Sequence, residues 1–202
     1  MILFKKSPED LCREGEEFMA KQRFRKAIEK FVRAIELGGD DLSLVCVAEL
    51  NIGSCYAMLN NHEKALEHTE KCLEILLGLL GLPLEVPEGR EEGSFYRTLF
   101  SRSIGVMAYY NKGIIFKAMG RLDEARVIFD KLIKYLHPQF ISQEPIFRNE
   151  RFEIIAEMVE RKRDDVIHGI IPVEYVKELY RRLGYSEDDI EKDYACARLL
   201  AL

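Results

Sequence analysis

The stretch that decides the fold is residues 109–132, which read YYNKGIIFKAMGRLDEARVIFDKL. Its apolar residues recur at helical spacing, and a polar turn divides it into two helical segments. Gly113 stands in the middle of the first segment, where a glycine is about 1 kcal/mol less favourable than an alanine. An isolated glycine in a helix usually has a packing reason, and a packing reason that belongs to a repeated unit recurs along the chain.

The same spacing occurs three times along the chain. In each copy an aromatic residue follows the glycine by three positions, and an alanine follows it by twelve. The three sets are Gly15, Phe18 and Ala27; Gly53, Tyr56 and Ala65; and Gly113, Phe116 and Ala125. Three unrelated helices would rarely share these offsets, so the sequence predicts three helical pairs. We expect that each of these positions is glycine because the second helix of the pair packs closely against it.

These spacings resemble the tetratricopeptide repeat, a helix–turn–helix unit of about 34 residues. The resemblance covers roughly residues 8–138 and implies an all-α fold, an α-solenoid of such repeats. It places the glycine and the aromatic residue on the first helix of each pair, helix A, and the alanine at the start of the second, helix B. Charged or polar residues replace the family's apolar residues at Glu14, Glu49, Thr69 and Lys112.

The distance from Gly53 to Gly113 is too long for ordinary repeat spacing. We predict repeats at about 8–41, 46–81 and 94–138, with a loop at 82–93, in an array spanning 1–138. Ser94 is expected to cap a long helix A over 94–119, and Asp41 or Ser43 to cap the helix A of the second repeat.

After residue 138 the repeat spacing stops. We predict a C-terminal helical cap over 139–202, because a solenoid must cover its open apolar end. Its helices are expected at 146–168, at 172–183 and after Ser186.

Composition limits the classes of partner and compartment. The net charge of −5 and the interleaving of acidic and basic residues disfavour nucleic acid as the main partner. No apolar run is long enough to span a membrane, and the start of the chain does not have the order of a secretory signal. The five cysteines have no CxxC spacing, so a reducing, cytoplasmic location is expected, with Cys55 and Cys72 as core thiols.

Motifs for catalysis are absent from the sequence. It has no phosphate-binding glycine loop, no HExxH and no nucleophile elbow. His68 and Cys72 lie four residues apart, but two ligands alone make a poor metal site. We therefore predict no catalytic residue, no metal site, no cofactor and no enzymatic activity.

The resemblance implies a concave groove lined by the helices A. In this family that groove commonly binds a peptide of a partner protein. An asparagine two residues before the glycine can hydrogen-bond the backbone of that peptide, and Asn51 and Asn111 match this position. Both are expected to be largely exposed. The predicted groove residues are Arg13, Glu16, Asn51, Ser54, Tyr110 and Asn111.

The sequence does not fit one subclass of the family. Its members hold the terminal carboxylate of chaperones with basic residues and an asparagine. In this sequence Cys12, Glu16, Met107 and Asn111 stand at four of those positions. A terminal carboxylate would therefore meet Glu16 instead of an ammonium group.

Two functions remain open from the sequence. The first is a non-catalytic adaptor that binds a protein or peptide partner in the groove. The second is a structural or assembly protein, a homo-oligomer that self-associates through extended helices around residues 75–105.

Overall fold

The computed structural model describes residues 6–136 and 144–161, with residues 177, 181 and 186–188 as isolated positions. Within 6–136 and 144–161 it contains eight helices and no strand. They are α1 (Pro8–Ala20), α2 (Phe24–Gly38), α3 (Leu42–Met58), α4 (His62–Leu80), α5 (Arg90–Leu99), α6 (Ser103–Ala118), α7 (Leu122–Tyr135) and α8 (Glu144–Arg161).

The helices pair in chain order. α1 packs on α2, α3 on α4, and α6 on α7, and successive pairs stack through α2 with α3 and through α4 with α6. The fold is therefore an all-α helical-repeat solenoid, and the predicted fold class is confirmed.

The C-terminal region is described in part. α8 corresponds to the helix predicted at 146–168, begins two residues earlier and packs on α7. The predicted helices at 172–183 and after Ser186 lie outside the described residues, apart from the isolated positions. The boundary predicted at residue 138 also lies outside them and stays a prediction.

The glycines of the repeated spacing are sites of close helix contact. A Cβ atom on Gly15 would lie 2.6 Å from Phe31 Cε1, and one on Gly113 would lie 2.7 Å from Phe129 Cε2. Both phenylalanines are fully buried. Since real Cβ atoms do not approach other atoms so closely, only glycine fits, and the expected packing role is confirmed.

The turn inside each pair also repeats. The residue seven positions after the glycine has a positive φ in all three copies, at Gln22 (54°), Asn60 (57°) and Gly120 (74°). The next residue donates its N–H to the carbonyl of the aromatic residue, over 2.8–2.9 Å in each case. These bonds satisfy carbonyl groups at the end of helix A and turn the chain into helix B. The alanines Ala27, Ala65 and Ala125 are fully buried.

Two of the charged residues that replace apolar residues of the family pattern form ion pairs with a neighbouring helix. Glu14 on α1 pairs with Lys30 on α2 at 2.8 Å and also with Lys6, and these hydrogen bonds lower the pKa of Glu14 to about 2. Lys112 on α6 pairs with Glu70 on α4 at 2.8 Å.

The second repeat differs from the other two in its core. Glu49 Oε2 lies 2.5 Å from His68 Nδ1, and both side chains are largely buried. The His68 ring stacks on Tyr56 with 5.3 Å between centroids. Thr69 stands where the other copies have phenylalanine, and a Cβ on Gly53 would lie 2.8 Å from its Oγ1 atom. The close approach at the glycine is thus kept with a smaller partner.

The predicted long helix over 94–119 is wrong, because the chain breaks at 100–102 into α5 and α6. Ser101 Oγ donates to the Thr98 carbonyl over 2.7 Å, and Arg102 is extended with φ −107° and ψ 130°. A Cβ on Gly105 would lie only 2.3 Å from the Leu99 carbonyl oxygen. The break between α5 and α6 therefore depends on glycine at 105, where the end of α5 meets the first turn of α6.

The predicted loop at 82–93 is shorter than expected. α5 begins at Arg90 with Gly89 as its N-cap residue, so Ser94 lies within the helix and does not cap it. At the other end α4 continues to Leu80, as predicted, and Gly81 closes it with φ 65°. Asp41, not Ser43, caps α3 by accepting from two backbone N–H groups.

α5 is packed into the fold through aromatic contacts. Tyr96 stacks on Tyr135 of α7 with 5.3 Å between centroids and meets the edge of Tyr109 of α6 at 5.7 Å. Glu92 accepts a hydrogen bond from the Tyr135 hydroxyl over 3.0 Å and pairs with Lys131. The insertion between the second and third repeats is therefore part of the core, with only 82–89 as loop.

We expect Gly113→Leu to destabilise the protein by about 1–3 kcal/mol, because the added side chain overlaps the Phe129 ring. Chemical denaturation measures the loss. Gly78→Ala is the matched control, since a Cβ on Gly78 of α4 meets no atom within 4 Å. That change should stabilise the helix by about 1 kcal/mol. An unchanged unfolding midpoint for Gly113→Leu would contradict the packing role.

We expect a glutamate-specific protease to cut first at Glu85 or Glu88, because both lie in the exposed loop 82–89. Glu67 is also exposed but lies within α4 and should be cut more slowly. Mass spectrometry of early fragments checks the order. First cleavage within 53–75 or 113–135 would show that the helix boundaries are misplaced.

Candidate functional site

Two of the predicted groove residues are brought into direct contact. Asn111 Nδ2 on α6 donates to Ser54 Oγ on α3 over 2.9 Å. Ser54 Oγ in turn donates to the Leu50 carbonyl over 3.0 Å. The bond between the side chains fixes the two helices A side by side and shows which face of each adjoins the other.

Exposed apolar side chains lie on these same faces. Val47 and Met107 lie one helical turn before Asn51 and Asn111, and Met58 lies one turn after Ser54. Their exposed fractions are 42% for Val47, 53% for Met107 and 63% for Met58. We call the surface formed by Val47, Asn51, Ser54, Met58, Met107 and Asn111 the groove.

The sequence analysis did not assign Val47, Met58 or Met107 to the groove. A signal was present for two of them, because Val47 and Met107 both stand six residues before a glycine of the repeated spacing. They are therefore equivalent in two successive copies. Two large apolar side chains are thus left exposed at equivalent positions of successive repeats.

The expectation that both asparagines are largely exposed is wrong, because each is only partly exposed. The amide nitrogen of Asn111 donates a hydrogen bond to Ser54, so this half of the amide is already bonded within the protein. Asn51 makes no side-chain hydrogen bond within the part of the chain that the structure describes. Its amide retains both a donor and an acceptor for a ligand.

The first repeat contributes the charged members of the predicted set. Arg13 and Glu16 are both exposed on α1. Arg13 pairs with Asp10 on its own helix, while Glu16 has no ion pair among residues 6–136 and 144–161. Within the described residues, no hydrogen bond or ion pair joins these two side chains to Ser54 or Asn111.

Tyr110, the remaining predicted residue, lies at the boundary between α6 and α8. Its ring centroid is 5.7 Å from Phe147 of α8 and 6.0 Å from Phe129 of α7. Burial raises the pKa of Tyr110, and the nearby Glu150 carboxylate adds to the rise. Lys117 of α6 pairs with Glu150 at 2.9 Å, so α8 contacts α6 as well as α7.

The histidine and cysteine side chains that could act in catalysis or metal binding contact other residues in the core. His68 bonds Glu49, and the Sγ atoms of Cys46 and Cys72 lie 3.5 Å apart in the core. Burial raises the pKa of Cys55 to about 11, as expected for a core thiol. Across the described ranges, no three potential metal ligands cluster, and no helix is long and apolar enough to cross a bilayer.

Comparison with protein families agrees with the repeated geometry. Residues 50–75 and residues 107–139 each match a family described as tetratricopeptide repeat. These stretches contain the glycine contacts at Gly53 and Gly113. Residues 50–75 and 107–139 are therefore tetratricopeptide repeats, and the family predicted from the spacing is confirmed for these stretches.

The structure of the Sgt2 TPR domain from Aspergillus fumigatus is similar at 17% sequence identity, with a TM-score of 0.47. The similarity covers 82% of this chain and 84% of that chain. No curated protein sequence matches the chain.

Proposed function

We propose that this protein is a non-catalytic interaction scaffold that binds a segment of a partner protein in the groove. The observation that carries the proposal is the exposure of Val47, Met58 and Met107 on the faces of α3 and α6 that the Asn111–Ser54 bond brings together. On the same face, the amide of Asn51 makes no hydrogen bond among the described residues. Tetratricopeptide repeats support the general class, that of a protein-interaction scaffold. The cytoplasmic location expected from the cysteines is part of the proposal.

The chemistry of the groove suits a segment with apolar side chains. Met58 and Met107 are unbranched and polarizable, so they can adapt to ligand side chains of different shapes. Asn51 can bind the ligand backbone through both a donor and an acceptor. The Asn111–Ser54 bond holds the two helices at a fixed separation, which reduces the ordering that binding would require.

Self-association is the second candidate function. It is favoured by exposed apolar residues in the predicted segment 75–105, which are Leu79, Leu84 and Val86. Sedimentation velocity distinguishes the two proposals. A stable dimer that dissociates in a Leu84→Ser variant would support self-association, and a monomer would support the adaptor.

We expect the double variant Val47→Ser with Met107→Ser to bind the partner roughly tenfold more weakly or worse, since each buried side chain contributes about 1 kcal/mol or more. Its stability should barely change, because both residues are already exposed. A partner captured from lysate of the source cells by the wild type is titrated against each variant by calorimetry.

The matched control is Val32→Ser with Val127→Ser, which removes similarly exposed apolar side chains from the helices B α2 and α7. This control should bind like the wild type. Equal affinities for the two double variants would remove the groove proposal. Asn51→Ala should weaken binding by a further factor corresponding to about 0.5–1.5 kcal/mol for one hydrogen bond.

A further inference from the structure

A cleft of about 270 Å³ lies outside the groove, between α4, the loop 82–89, α5 and α6. Buried apolar side chains from α4 and α5 form its floor, and two apolar side chains of the loop form its outer wall. These residues are Leu73, Leu77, Phe95 and Leu99 for the floor, and Leu84 and Val86 for the wall. We call it the insertion cleft, because the insertion between the second and third repeats builds it.

The wall of the insertion cleft leaves apolar surface in solvent. Leu84 is 71% exposed and Val86 is 40% exposed. The loop holds them between Pro83 and Pro87, whose rings fix two φ angles and restrict the conformations that the loop can take. A restricted loop that presents apolar side chains over an apolar floor has the features of an interaction site.

The rim of the insertion cleft is acidic. Glu70, Glu74 and Lys112 line it, and Lys112 is already paired with Glu70 at 2.8 Å. Glu74 is exposed and has no ion pair among the residues that the structure describes. The segment 70–92 carries six glutamates against one lysine and one arginine, and Glu85 and Glu88 are exposed on the loop itself.

We propose that the insertion cleft is a second interaction site, which binds a basic amphipathic segment of a partner protein. One apolar side chain of that segment inserts between the loop wall and the floor. A neighbouring lysine or arginine pairs with Glu74, and further basic residues face the loop glutamates. Charge complementarity of this kind favours a cationic partner over a neutral or acidic one.

The same charges argue against a second copy of this chain as the occupant. A twofold dimer through the insertion cleft would place the same patch on both sides of the contact. Glu74, Glu85 and Glu88 would then face an identical acidic set, which is unfavourable. The site does not depend on the groove, since none of its lining residues belongs to that surface.

The test uses two helical peptides of about 14 residues with the same leucine spacing, one with lysine and one with glutamate at the polar positions. Fluorescence anisotropy measures their binding to the full chain. The leucine–lysine peptide should bind at least about tenfold more tightly than the leucine–glutamate peptide. Methyl resonances of Leu84 and Val86 should shift on binding, while those of Val47 and Met107 should not.

Three variants locate the binding. Leu84→Ser with Val86→Ser should weaken the leucine–lysine peptide about tenfold, and Glu74→Gln should weaken it about threefold. Glu29→Gln makes the same charge change on the exposed face of α2 and should have no effect. The groove variant Val47→Ser with Met107→Ser should also bind this peptide normally.

Four results of the peptide experiments would overturn the proposal. They are failure of the leucine–lysine peptide to bind, equal binding of the two peptides, binding that survives the Leu84→Ser with Val86→Ser change, and resonance shifts confined to the groove. A stable dimer that buries Leu84 would also overturn it, because a second copy of the chain would then occupy the insertion cleft in place of the basic segment. Binding of a partner to the groove is measured separately. A negative result for the insertion cleft therefore does not decide whether the groove binds a partner.

Discussion

The solenoid depends on the absence of a side chain at one position of each helix A. At Gly15 and Gly113 the aromatic ring of helix B comes closer than any Cβ would allow. That approach buries Phe31 and Phe129 completely and brings Ala27 and Ala125 into the contact as well. The pairing of α1 with α2 and of α6 with α7 follows from this contact, and the pairs then stack.

The second repeat keeps the close approach while replacing the ring. Thr69 lies against Gly53 where a phenylalanine would otherwise be, and the ring of the preceding residue, His68, stacks on Tyr56. Glu49 completes the arrangement by bonding His68. A buried pair of this kind contributes little net stability compared with apolar packing.

The fold was predictable from the sequence because its decisive contact lies within one helical pair. The offsets from Gly113 to Phe116 and Ala125 are local, and they repeat. The break between α5 and α6 was not predictable, because it depends on the Leu99 carbonyl packing against Gly105 and on the aromatic contacts of Tyr96. Gly120 signals a left-handed turn, whereas Gln22 at the equivalent position gives no such signal.

The candidate site was predictable in part. The resemblance pointed to Asn51 and Asn111, and the structure joins Asn111 to Ser54 across two helices. That bond depends on how the pairs stack, which the sequence does not specify. Exposure of Met58 and Met107 is also a tertiary property, since apolar residues at helical spacing are equally typical of a core. The insertion cleft requires α4, α5 and α6 together and could not be foreseen.

A double-mutant cycle between Gly113 and Phe129 tests the central contact most directly. Gly113→Ala should destabilise the wild type, although alanine is the better helix former, because its Cβ would lie 2.7 Å from the Phe129 ring. In the Phe129→Leu background the same change should cost much less, giving a coupling energy of about 1 kcal/mol or more in chemical denaturation. Strictly additive effects of the two changes would contradict the account.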